Sequence, residues 1–141
     1  MTDVSGTETL VRDLMTRDVH TVDRNDALLT ADRIMSLGRI RHVLVLDSDG
    51  QLVGVLSQRD LFHNGLLRAL GYGSYAAHKA MEDLVVKEVM TSSPLTIGPG
   101  EPLSRAAAIM FKSKVGCLPV LDGDKLVGIL TESDFVKLHA E

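Results

Sequence analysis

The stretch Leu52-Val53-Gly54-Val55-Leu56-Ser57-Gln58-Arg59-Asp60 returns 74 positions later as Leu126-Val127-Gly128-Ile129-Leu130-Thr131-Glu132-Ser133-Asp134. A short apolar run ending in Gly-x-x-(Ser or Thr)-x-x-Asp reads as a strand that runs into a helix start. Working outward, Val43-Leu44-Val45-Leu46-Asp47 matches Leu118-Pro119-Val120-Leu121-Asp122, and Ile34-Met35 matches Ile109-Met110, both at an offset of 75. At the same offset Thr21-Val22 matches Thr96-Ile97, and Val11-Arg12-Asp13-Leu14-Met15-Thr16 matches Val86-Lys87-Glu88-Val89-Met90-Thr91. One extra residue in the first turn accounts for the change of offset. The chain therefore holds two copies of one unit, and the repeat governs every later inference about fold.

Each unit reads as strand, helix, strand, turn, strand, helix. The first helix is expected to open at Asp26, and in the second unit at Glu101, with Pro102 at the first helical position, where its missing N–H is not needed. Ala27, Ala31, Ile34 and Met35 recur at helical spacing, as do Leu103, Ala106, Ala107 and Met110. Asp47-Ser48-Asp49-Gly50 and Asp122-Gly123-Asp124 each separate two β-rich runs and suit hairpin turns. The expected fold class is α/β (α+β): two small sheets with helices on one face, packed face to face with pseudo-twofold symmetry. The expected division is 8–61, a helical connector over 62–85, and 86–141. The connector, broken at Gly71-Tyr72-Gly73, carries Leu66, Leu67, Leu70, Ala77, Met81, Leu84 and Val85 as apolar stripes, for its own module or for a partner.

Composition narrows the function. With 45% hydrophobic and 24% charged residues among 141, the chain is an ordinary globular protein. Asp and Glu (19) outnumber Lys and Arg (15), the net charge is -4, and aromatics make up 4%, so a nucleic-acid role is not expected. No apolar run approaches the roughly 18 residues of a membrane span. Cys117 is the single cysteine and cannot form an intrachain disulfide, so the expected location is cytoplasmic.

The Ser/Thr-x-x-Asp motif has two readings. As a capping box, hydroxyl and carboxylate satisfy free N–H groups at a helix start. As a binding site, the same junction offers N–H groups, a positive helix end, a hydroxyl for a phosphate oxygen and a carboxylate for ribose hydroxyls. Duplication alone does not separate them. His20, His42, His63, His78 and His139 lack ligand spacing with one another or with Cys117, so no metal site is expected. Cys117 has no identifiable base and reads as a buried thiol. A Gly-x-x-x-x-Gly-Lys-(Ser or Thr) phosphate loop is absent from the sequence. No catalytic residue is assigned.

Taken in order, Met-Thr at each unit start, the acidic or Pro-containing helix opening, Cys117-Leu118-Pro119-Val120-Leu121-Asp122, and Leu-Val-Gly-(Val or Ile)-Leu-(Ser or Thr)-x-x-Asp resemble the CBS domain, twice. The resemblance covers Val11 to Leu61 and Val86 to Leu138. It implies a paired regulatory module, a Bateman module, that binds AMP, ADP, ATP or sometimes S-adenosylmethionine in clefts between its domains and often forms disc-shaped homodimers. It also implies the site residues. In one cleft Thr131, Ser133 and Asp134 meet ribose and phosphate while Val19, His20, Ile40, Arg41, His42 and Leu44 line the adenine side. The other combines Ser57, Arg59 and Asp60 with Pro94, Leu95, Val115, Gly116, Cys117 and Pro119. Similar domains place phosphate-binding basic residues where Arg41 and His42 stand, and the second cleft has Gly116 and Cys117 there, so the cleft with Asp134 is favoured. The expected function is a non-enzymatic sensor of an adenine nucleotide with no cofactor, acting through a separate regulated protein, through its own oligomer or by buffering the ligand. The alternative is a purely structural dimerisation module whose Ser, Thr and Asp are caps. An enzyme using the cleft is the third reading.

Overall fold

The repeated apolar positions build two cores with one plan. A computed structural model describes residues 9–61, 79 and 81–140. They divide into two compact units, His20–Pro94 in one, and in the other the described residues up to Val19 together with the chain from Leu95 on. The sequence repeat and the compact units thus cut the chain at different places.

In the His20–Pro94 unit, β1 (Thr21–Asp23) lies parallel to β2 (His42–Leu46), which is antiparallel to β3 (Leu52–Ser57). The fourth strand, β4 (Thr91–Ser92), comes from the opening of the second repeat and pairs Val55 with Thr91. Helix α2 (Leu28–Gly38) connects β1 and β2, as parallel neighbours require a crossover. Its buried stripe is Leu28, Ala31 and Met35, which packs with Val22, Val43, Val45, Leu56, Leu61 and Val86.

The other unit repeats this plan. Hairpin β5 (Cys117–Asp122) and β6 (Lys125–Thr131) is flanked by a parallel bridge from Ile97 to Val120 and an antiparallel bridge from Thr16 to Ile129. Helices α1 (Val11–Leu14), α3 (Leu103–Ser113) and α4 (Glu132–Ala140) complete it. Its core of Val11, Met15, Ile97, Leu103, Ala106, Met110, Leu118, Val120 and Leu130 reproduces the first core almost position by position. Val11, from the first repeat, stands where Val86 stands in the other unit. Each repeat's opening segment therefore completes the unit built by the rest of the other repeat.

Several local expectations change. Helices α2 and α3 begin at Leu28 and Leu103, two residues beyond the expected openings, with Ala27 and Pro102 as extended N-caps. Asp26 instead accepts the Asp23 N–H at 2.9 Å, a turn that competes with helix. Ala107 is exposed, because the buried stripe passes through Leu103, Ala106 and Met110. Leu84 and Val85, expected to be helical, pair with the first repeat: the Leu28 N–H donates to the Leu84 carbonyl at 2.8 Å and Val85 bridges Ala27. The expected connector residues 62–78, with the break at Gly71 and Gly73, lie outside the described residues.

Glycine in the repeated motif has a steric reason. A Cβ on Gly128 would lie 2.7 Å from Met15 Sδ and 2.9 Å from the Thr16 carbonyl oxygen. On Gly54 it would meet Met90 Sδ and lie 2.9 Å from the Thr91 carbonyl oxygen. The Met-Thr opening of each repeat lies directly over the glycine of the other, so only a residue without Cβ fits.

Candidate functional site

Polar groups gather at the two strand-to-helix junctions. After β3, the Ser57 N–H donates to Asp60 Oδ2 at 2.9 Å and the Asp60 N–H donates to Ser57 Oγ at 3.0 Å, a reciprocal capping box. After β6, the Thr131 N–H donates to Asp134 Oδ2 at 2.8 Å, and the Thr131 hydroxyl lies 3.3 Å from that oxygen. Thr131 Oγ1 is also 2.8 Å from Ser133 Oγ. The cap reading of the motif is therefore realised in full at Ser57 and Asp60, and in its carboxylate half at Thr131 and Asp134.

The two acids differ in setting. Asp134 is 3% exposed, the one buried polar or charged residue among the described residues, whereas Asp60 is half-buried. Burying a carboxylate requires donors. One comes from far along the chain: the Thr16 hydroxyl donates to Asp134 Oδ1 at 2.8 Å. Thr16 is the residue that reading the motif alone misses, and the signal for it was the recurring Met-Thr pair.

Strand pairing sets what lies beside each junction. His42 is the register partner of Ser57, and the Gln58 N–H donates to the Arg41 carbonyl at 2.7 Å, so Arg41 and His42 flank Ser57, Arg59 and Asp60 within one unit. In the other unit Cys117 is the partner of Thr131, and the Glu132 N–H donates to the Gly116 carbonyl at 3.3 Å. One junction thus has a basic pair beside it, the other a glycine and a buried thiol. Arg41, Arg59 and Ser133 are exposed; Val19, His20, Ile40, His42, Ser57, Pro94, Val115, Gly116 and Thr131 are half-buried. Leu44, Cys117 and Pro119 are buried, and Leu95 is exposed. Of the residues expected around Asp134, Val19, Thr131 and Ser133 share its unit, while His20, Ile40, Arg41, His42 and Leu44 belong to the unit of Asp60. Of the second set, Pro94 shares the unit of Ser57, Arg59 and Asp60, while Leu95, Val115, Gly116, Cys117 and Pro119 belong to the unit of Asp134.

A duplicated α/β scaffold that collects hydroxyls and acids at paired strand-to-helix junctions defines a small tandem module. The chain belongs to the CBS domain family, whose model matches it twice, over residues 11–66 and 86–141. It is 31% identical over 137 residues to a CBS domain-containing protein of Dictyostelium discoideum, covering 92% of this chain and 90% of that one. The CBS domain pair of protein MJ0100, solved with 5′-methylthioadenosine and S-adenosylmethionine, is 27% identical with a TM-score of 0.77, covering 95% of this chain and 98% of that one. CBSX2 of Arabidopsis thaliana, solved with AMP, is 29% identical with a TM-score of 0.72, covering 93% and 96%. The chain spans about a quarter of homoserine O-acetyltransferase from Methanohalobium evestigatum, which it matches at 28% identity over 94% of its own length and 24% of the enzyme. No helix among the described residues is long and apolar enough to cross a membrane.

Proposed function

We propose that the chain is a regulatory module that binds an adenine nucleotide of the AMP, ADP or ATP class and performs no chemistry on it. The observation that carries this reading is the pair of junctions, with the Thr131 and Ser133 hydroxyls at the start of one helix and a basic pair, Arg41 and His42, beside the other. The ligands of the MJ0100 pair and of CBSX2 share an adenosine moiety, which supports an adenosine compound as the ligand here. In this reading Thr131, Ser133 and Asp134 take the ribose and phosphate groups, Arg41 adds positive charge and His42 a ring N–H for phosphate, and Val19, His20, Ile40 and Leu44 serve the base. Ser57, Arg59 and Asp60 are the weaker set.

Regulation requires that the nucleotide favour one conformation of the module over another, since equal affinity for both shifts nothing. A separate protein then reads the favoured state. Calorimetric titration with AMP, ADP, ATP and S-adenosylmethionine is the test. Saturable heat with an adenine nucleotide is expected; silence with all four leaves the second reading, a structural module whose Ser, Thr and Asp are caps, which the observed capping bonds favour.

We also expect a homodimer. Leu37 and Phe111, near the ends of α2 and α3, are 87% and 85% exposed, and a closed twofold contact is a common way to cover such side chains. Light scattering should give about twice the 15.3 kDa of one chain at micromolar concentration. A mass of one chain refutes the dimer.

A further inference from the structure

Thr16 stands outside the repeated Gly-x-x-(Ser or Thr)-x-x-Asp motif, yet its hydroxyl donates to Asp134 Oδ1 at 2.8 Å across 118 positions of sequence. Its backbone is pinned on both sides: the Thr16 N–H donates to the Ile129 carbonyl at 2.8 Å, and the Ile129 N–H returns a bond to the Thr16 carbonyl at 2.9 Å. The hydroxyl is therefore delivered from a fixed point. On the other carboxylate oxygen, Oδ2, the Thr131 N–H donates at 2.8 Å and the Thr131 hydroxyl lies at 3.3 Å.

A carboxylate has about four acceptor positions, two on each oxygen. Thr131 occupies those of Oδ2, and Thr16 occupies one on Oδ1. Among the described residues, no further donor reaches Oδ1, so one acceptor position on it is left. Two fixed donors, one on each oxygen, also set the plane of the carboxylate, whose terminal torsion is otherwise broad.

We propose that Thr16 is a positioning residue that orients Asp134 so that the remaining acceptor position on Oδ1 takes one ribose hydroxyl, and that it thereby makes the site select a ribonucleotide over the matching deoxynucleotide. The proposal rests on the adenine-nucleotide reading above and adds the residue that sets sugar selectivity. Without the Thr16 hydroxyl the carboxylate turns, and its open acceptor position no longer faces one hydroxyl.

The test is calorimetric titration of AMP, 2′-deoxy-AMP and 3′-deoxy-AMP into the native chain, Thr16→Val and Thr16→Ser. The native chain is expected to prefer AMP over one of the two deoxynucleotides by about tenfold, as loss of one hydrogen bond to a charged acceptor implies. Thr16→Val should weaken AMP by about tenfold and shrink that preference to less than about threefold, while Thr16→Ser, which keeps the hydroxyl, should preserve both. A role confined to stability would lower the melting temperature of Thr16→Val and leave the ratio of affinities unchanged, which overturns the proposal. A native chain that binds all three within about threefold overturns it without any variant, whether or not Thr16→Val folds. Absence of binding by the native chain defeats the nucleotide reading itself and this proposal with it.

Discussion

The Asp134 unit and the Asp60 unit share a core almost residue for residue, from Leu103 and Leu28 to Leu130 and Leu56, yet they differ at the two places where a ligand would be handled. The strand beside the Asp60 junction begins with Arg41 and His42, and the strand beside the Asp134 junction begins with Gly116 and Cys117. Asp60 is half-buried, whereas Asp134 is buried. The core positions are shared, as close packing constrains them, while the two strand starts differ.

The sharpest way to break this difference is to remove it. Arg41→Gly combined with His42→Cys gives the Asp60 unit the strand start of its counterpart. Loss of two charge-assisted contacts should weaken AMP by about a hundredfold, roughly 3 kcal/mol, and leave adenosine, which has no phosphate, nearly unaffected. Calorimetry with both ligands reads the result. An equal loss for adenosine moves the basic pair away from the phosphate.

Next in size is the comparison of Asp134→Ala with Asp60→Ala. Asp134→Ala is expected to weaken nucleotide binding by about 1.5 to 3 kcal/mol, more than Asp60→Ala does, and also to lower the melting temperature further, because Asp134 is buried whereas Asp60 is half-buried. Equal losses of affinity refute the functional asymmetry. Equal losses of stability refute the structural one.

The smallest effect tests what the two units share. Gly128→Ala and Gly54→Ala should each cost about 1 to 3 kcal/mol in urea unfolding, since the added Cβ meets a methionine sulfur and a backbone carbonyl in both. A silent Gly128→Ala beside a costly Gly54→Ala shows that Met15 and Thr16 are held less firmly than Met90 and Thr91.

The repeat made most of this legible in advance. The strands, hairpins and helices follow from period and turn chemistry, and the first unit's helix starts two residues later than expected because Asp26 caps a turn of its own. Exchange of the opening segments was not legible. At an offset of 75, Val11 and Val86 are interchangeable as symbols, so the pattern cannot say which core either one enters. The junction motifs were legible as pairs of hydroxyl and acid. Their environment was not, because the Asp134 carboxylate meets Thr16, which is 118 residues away.

That exchange constrains how such a chain can arise and how it can be cut. A single repeat on its own lacks the strand that covers its glycine and the valine that seals its core, and only a second copy can lend them. Two half-length polypeptides trading arms would supply the same parts, and fusing their genes turns a reciprocal loan between molecules into one within a molecule. Joining the present ends and reopening the chain between Val19 and His20 would make each unit contiguous for the first time, with the loan repaid in full.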